Sequence, residues 1–293
     1  MPNPKLIIGT RGSALALTQT NTIADALRRV HLGLEVEIRT INTRGDATQA
    51  ANVPLASFGE KGIFAKELET ALLDGEIDLA VHSMKDLAHT MPPGLVLAAV
   101  PKREDPRDAL IGSTLDSLRQ GALVGTGSVR RRALFSSRRP DLRFLEIRGN
   151  IDTRLKKLED GGYDAICLAA AGLKRLGLAD RVTEYLDPEW FVPDPGQGAL
   201  ALQTRESDVQ VRGLLSAVND MASFVTTRAE RGFLRAVGGS CQTPVGAHAR
   251  HIDGGLMLRA MLVGDDGLMR RAEAGGAPGM AEELGARVAK MLR

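Results

Sequence analysis

Short apolar runs alternate with amphipathic stretches through the first two-thirds of the chain, and this alternation limits the folds open to it. Lys5–Thr10 reads as a strand and Ala14–Val30 as a helix. Leu34–Ile41 alternates with period two, as a half-buried strand does. Glu60–Asp74 is predicted helical, with strands at Ile77–Ser83, Leu95–Val100, Asp108–Gly112, Ala122–Thr126, Arg143–Arg148 and Asp164–Ala170. Helices are expected near Val129–Ser136 and Asp152–Glu159. Strands and helices in turn imply α/β layers, here mostly parallel sheets with helices on both faces.

Two proline-bearing connections, around Val100–Pro106 and Asp187–Pro195, bracket one domain's length. The expected division is a discontinuous first lobe, 1–101 and 197–216, and a second lobe, 102–196. Paired hinges and a cleft would lie between the lobes; a simple tandem order is the alternative. After Val218 the texture changes. A helix over Thr226–Ala236, strands at Val245–His251, Leu256–Val263 and Leu268–Ala272, and a helix over Met280–Leu292 predict a small α+β domain, 217–293. The stretch 46–62 has little periodicity and reads as a mobile loop, with an ordinary surface loop as the plainer reading.

Lys and Arg total 38 against 36 Asp and Glu, a net charge of +2, so no global field marks a nucleic-acid or membrane binder. No apolar run is long enough to span a bilayer, no signal-peptide core opens the chain, and two cysteines fit a reducing compartment. A cytoplasmic protein is expected. No metal-binding pattern is present.

Local arginine must then carry any case for an anionic partner. Ile8-Gly-Thr-Arg-Gly-Ser13 places Arg11 and a capping Ser13 where a strand hands over to a helix. Val124-Gly-Thr-Gly-Ser-Val-Arg-Arg-Arg132 repeats the device, with Thr126 and Ser128 ahead of Arg130 and Arg131. Arg148-Gly-Asn-Ile-Asp-Thr-Arg154 is the third case, and Arg175 follows another strand. Free N–H groups and the helix dipole favour an anion at such junctions, and arginine adds a fork that fits carboxylate or phosphate. Singly, each is a cap beside a solvated arginine; together they imply a ligand with several anionic groups. Consecutive helical residues point about 100° apart, so Arg132 is expected to turn away. No phosphate-binding loop or dinucleotide fingerprint is present.

Asp78-Leu-Ala-Val-His-Ser-Met-Lys-Asp86 offers the acid–base candidates, His82, Ser83, Lys85 and Asp86, at a strand end. A core histidine and a surface Lys–Asp pair are the plainer alternatives. Cys241 lies among glycines and small polar residues, whereas Cys167 sits in a strand and reads as core.

Taken in order, Thr10–Ala16, Glu60–Glu67, Ala80–Asp86, Gly125–Arg131, Arg148–Asn150 with Arg154, Ala171–Leu176, Pro195–Gly198 and Gly238–Cys241 resemble the porphobilinogen deaminase (hydroxymethylbilane synthase) family. Leu87-Ala88 departs from its commoner proline-containing continuation. The resemblance implies two hinged lobes like those of periplasmic binding proteins, plus a small C-terminal domain. It implies a transferase of tetrapyrrole and haem biosynthesis that condenses four porphobilinogen molecules head to tail, with loss of ammonia, into hydroxymethylbilane. It further implies a dipyrromethane cofactor joined to Cys241 through a thioether, where a thiolate suits an electrophilic pyrrole carbon. By the same resemblance Asp86 is the catalytic carboxylate. Arg11, Lys85, Arg130, Arg131, Arg148, Arg154 and Arg175 bind cofactor and substrate carboxylates, with Ser13, Thr126, Ser128 and Gln197 adding hydrogen bonds. Lys61 and Phe64 border the mobile loop. The substrate is the expected partner, without nucleic acid or membrane, and the chain is expected to act as a monomer. A module that only captures polycarboxylates, or a nucleic-acid binder using 128–156, would share some of these features.

Overall fold

The computed structural model describes residues 5–43, 65–238 and 243–293. Along the chain run β1 (Lys5–Thr10), α1 (Ala14–Val30), β2 (Glu35–Thr40), α2 (Lys66–Leu73), β3 (Leu79–Ser83) and β4 (Leu95–Ala99). Then come β5 (Asp108–Ile111), β6 (Leu123–Gly125), α3 (Val129–Arg138), β7 (Arg143–Leu145), α4 (Ile151–Glu159), β8 (Ala165–Ala169), α5 (Ala170–Arg175) and β9 (Glu184–Tyr185). The remainder is β10 (Leu200–Arg205), α6 (Val209–Ser216), α7 (Met221–Val237), β11 (Val245–Ile252), β12 (Gly255–Val263), β13 (Met269–Gly276) and α8 (Ala281–Met291).

The chain divides into two compact units, Met1–Arg103 with Ala199–Phe224, and Glu104–Gly198 with Val225–Arg293. The first holds a five-stranded sheet in the order β2-β1-β3-β10-β4. Successive strand residues face opposite sides. Leu6 and Ile8 therefore pack with Ile23, Ala24 and Leu27 of α1, while Ile7 turns to Leu68 and Leu72 of α2. Ser13 starts α1, its Oγ accepting from the Ala16 N–H at 3.3 Å, and Arg28 and Arg29 in the last turn suit the dipole's negative end.

The second unit repeats the plan with β7-β6-β8-β5-β9. Leu110, Val124 and Cys167 pack on Leu134 and Phe135 of α3; Ile111, Ile166 and Leu168 face Leu155 of α4 and Leu173 of α5. Both sheets are mixed, each with two parallel and two antiparallel pairings, where the pattern alone suggested mostly parallel ones. The antiparallel members, β5 in one sheet and β10 in the other, follow the two proline-bearing connections, and local periodicity does not record the direction in which the chain returns. A smaller antiparallel sheet, β11-β12-β13, completes this unit. It buries Ala247, Leu258 and Ala260 against Phe233 of α7 and Val288 of α8. Those two helices cross at glycine: a Cβ on Gly285 would land on the backbone of Phe233 and Ala229.

Candidate active site

In the first unit β1 and β3 are parallel neighbours, so their carboxyl ends share one sheet edge. Arg11 and Ser13 follow β1 there. Past β3, Met84–Asp86 form a single 3₁₀ turn. Met84 and Leu87 are buried on either side, and the Met84 N–H donates to the Ala199 carbonyl at 3.0 Å. Lys85 and Asp86, both half-buried, thus project from a turn anchored at both ends. No ion pair to Asp86 occurs among the described residues. Gln19 of α1 ties the helix to this edge, its Nε2 donating to Ser83 Oγ at 3.0 Å.

His82 belongs to the core instead. It is buried, and its Nε2 lies 2.9 Å from Gln203 Oε1, while Gln203 Nε2 donates to Glu69 Oε1 at 3.0 Å. Burial pushes its pKa down from 6.5 to about 4, with Arg11 adding a smaller push in the same direction. A neutral, enclosed imidazole is not placed to exchange protons with a ligand.

In the second unit β7, β6 and β8 are parallel neighbours, so the junctions leading into α3, α4 and α5 come to one edge. This is where open α/β sheets offer ligand sites. Ser128 caps α3, its Oγ accepting from the Arg131 N–H at 3.4 Å, and buried Thr126 accepts from the Ser128 N–H at 3.2 Å. Arg130 and Arg131 are buried and both meet Asp108. Arg131 donates from Nε and Nη2 to Asp108 Oδ1 at 2.9 and 2.7 Å, and from Nη1 to the Cys167 carbonyl at 2.7 Å. Burial opposes its charge most strongly, yet the Asp108 carboxylate, with smaller help from Cys167 and Asp194, more than offsets it and holds the guanidinium pKa above its ordinary value. Arg130 donates to the Val192 carbonyl at 2.8 Å and forms an ion pair with Asp108 Oδ2, also at 2.8 Å.

Arg132 folds back onto the Thr126 carbonyl at 3.1 Å. Arg148 pairs with Glu146 at 2.6 Å, Arg154 donates to the Gly149 carbonyl at 2.7 Å, and Arg175 to the Gly198 carbonyl at 2.7 Å. Burial lowers the pKa of Arg175 from its usual value. Gln197 is buried, and its Nε2 donates to the Pro106 carbonyl at 2.8 Å and to Asp108 at 3.1 Å. Cys241, Lys61 and Phe64 lie outside the described residues.

Sequence reasoning passed over Asp108 and Glu230. Both are acids with no exposed surface. The signal for Asp108 was a charge opening the otherwise apolar strand Asp108-Ala-Leu-Ile. Glu230 takes the Gly196 and Ala249 N–H groups at 2.7 and 2.8 Å, pinning the Gly196–Gly198 turn to β11.

A family model described as porphobilinogen deaminase, dipyromethane cofactor binding domain, matches residues 6–213, and one for the porphobilinogen deaminase C-terminal domain matches 224–293. The chain belongs to the porphobilinogen deaminase family. A porphobilinogen deaminase of Roseiflexus sp. (strain RS-1) is 48% identical over 291 residues, covering 98% of this chain and 95% of that one. One from Syntrophobacter fumaroxidans is 47% identical over 282 residues, covering 95% and 91%. Solved structures offer looser likenesses. The VFT2 domain of Bordetella pertussis BvgS is 16% identical with a TM-score of 0.39, covering 74% of this chain and 86% of its own. A Burkholderia cenocepacia nutrient binding protein is 13% identical with a TM-score of 0.43, covering 72% and 90%.

The donor set of the second unit fits the polycarboxylate group named for this family. The arginine-bearing junctions into α3 and α4 lie at one sheet edge, and Arg130 Nε, like Asp108 Oδ2 beside it, is buried without a hydrogen bond. A buried donor left unsatisfied is costly, and a carboxylate oxygen would satisfy it.

Proposed function

We infer that the protein is a hydroxymethylbilane synthase, a transferase that joins four porphobilinogen molecules head to tail, releases ammonia at each addition, and yields a linear tetrapyrrole. The observation that carries this reading is the family match, which spans both the cofactor-binding domain and the C-terminal domain.

Cys241 would hold dipyrromethane through a thioether; when bound, that group supplies the primer for the chain. Asp86 would accept the pyrrole N–H of the substrate and offset positive charge on the pyrrole as its aminomethyl C–N bond breaks, the electron pair leaving with nitrogen. Its half-buried position, with no ion pair among the described residues, supports this role, because a fixed negative charge acts most strongly where charge develops. Arg11 and Lys85, which follow the parallel strands β1 and β3, would meet the substrate's acetate and propionate, with Ser13 capping the helix beside them. Arg130, Arg131, Arg148, Arg154 and Arg175 would meet further carboxylates, with Thr126, Ser128 and Gln197 ordering the junctions. Lys61 and Phe64 would border the 46–62 loop.

We read the chain as three domains, 1–101 with 197–216, 102–196, and 217–293; the separate apolar core of the last supports this. It would act as a cytoplasmic monomer without nucleic-acid partners. Among the described residues no helix is long and apolar enough to cross a membrane.

Intact-mass measurement tests the reading. Protein from cells competent in tetrapyrrole synthesis should carry an excess of two linked pyrrole units, lost in Cys241→Ser, and added porphobilinogen should extend it as a ladder. An unmodified mass with no ladder would leave only a polycarboxylate-capturing module.

A further inference from the structure

We propose that Asp108 is a positioning residue for this reaction: its buried carboxylate aims Arg130 and Arg131 together at the ligand edge of the second unit, setting affinity for the substrate's carboxylates. The inference rests on the synthase reading above. β5 runs antiparallel to β8, and Asp108, its first residue, pairs with Ala169, the last residue of β8. That register brings Asp108 to the edge where β6, β7 and β8 end.

The first turn of a helix is the least favourable place for cations, because its unpaired N–H groups carry the positive end of the dipole. α3 nevertheless opens on consecutive arginines, whose charges also repel each other. Side chains at adjacent helical positions diverge by about 100°, so something must turn both inward. Asp108 does so. Its Oδ1 takes Nε and Nη2 of Arg131 together with Nε2 of Gln197, and its Oδ2 faces Nη2 of Arg130.

One buried carboxylate needs only one cation to offset its charge. Here two guanidinium groups share it; Cys167 and, more weakly, Asp194 add to the attraction for Arg131. A purely structural ion pair does not call for the second arginine, whereas a carboxylate ligand does. Arg130 Nε and Asp108 Oδ2 are both buried without a hydrogen bond, so the Arg130 side of the pairing is less fully engaged than the Arg131 side.

Asp108→Asn keeps the size of the side chain, removes the charge and turns an N–H₂ group toward one guanidinium. Wild type and variant are compared well below their melting temperatures, by steady-state kinetics with porphobilinogen and by the rate at which apo-protein gains the primer mass. The expected result is a KM raised about tenfold with a smaller change in kcat, and primer loading slowed by about the same factor. In an Arg131→Gln background the same substitution should change KM by less than about threefold, since it acts through a shared partner. If Asp108→Asn yields no folded protein, Asp108→Glu shifts the charge by one methylene and carries the same test. Folded variants with wild-type KM and loading rate, altered only in stability, would reduce Asp108 to a scaffold ion pair and overturn the proposal, as would full additivity with Arg131→Gln. Wild-type protein that neither loads nor consumes porphobilinogen would instead overturn the synthase reading.

Discussion

His82 gives the first unit a pH dependence whose size follows from its surroundings. Its pKa falls from 6.5 to about 4 on folding, chiefly because burial disfavours the imidazolium. Between these values the unfolded chain binds a proton that the folded chain does not, so stability is fully present above pH 6.5 and declines as pH falls toward 4. The gap between these values, at about 1.4 kcal/mol for each pH unit, sets a ceiling of about 3 kcal/mol, about a third to a half of it lost by pH 5.5 and nearly all by pH 4. Acidic groups titrate over part of the same range, so the contribution must be isolated. His82→Gln keeps an amide that can bond to Gln203 and removes the titration. Urea unfolding of the first unit, followed in both proteins from pH 7 to pH 4, should show the variant gaining on wild type by about 3 kcal/mol. The His82 ring resonance in folded protein should titrate near 4. A midpoint near 6.5, or a stability difference constant with pH, would refute the reasoning.

Asp86→Asn should leave the melting curve unchanged and lower kcat at least about a hundredfold, because an amide cannot offset the charge left by departing ammonia; near-normal turnover removes Asp86 from the chemistry. Glu230→Ala should strand the Gly196 and Ala249 N–H groups and destabilise the second unit by about 3 kcal/mol in urea unfolding. A loss under about 1 kcal/mol would mean that water replaces the carboxylate there.

Much of the fold was legible because its strands are short and regular. Lys5–Thr10 and Ala14–Val30 match their sequence-predicted bounds, the helix fixed by the Ser13 cap. α7 begins at Met221, five residues before the expected start, because Asp220 Oδ1 accepts the Ser223 N–H at 2.7 Å. That cap sits ahead of the apolar periodicity on which the sequence reading relied. β7 stops at Leu145 rather than continuing to Arg148, since Glu146 and Arg148 turn onto each other in the junction to α4. The anionic junctions were readable from glycine, serine and arginine in series. Their partners were not: Asp108 meets Arg131 across 23 positions and Gln197 across 89, and no local pattern encodes such pairings.

These partners also explain how a chain of net charge +2 can concentrate arginine at a sheet edge. Left alone, converging guanidinium groups would repel one another and strain the fold before any ligand arrived. Each is instead answered locally: Arg130 and Arg131 by Asp108, Arg148 by Glu146, Arg154 and Arg175 by backbone carbonyls. The answers differ in strength. Asp108 has no exposed surface, so parting it from its arginines would leave buried charge unpaired. Glu146 is 46% exposed and Arg148 14%, so water already reaches the carboxylate side of that pair and little of its charge is left to bury. One edge therefore combines arginines locked to a buried carboxylate with one paired to a carboxylate that water reaches, and overall charge averages that difference away.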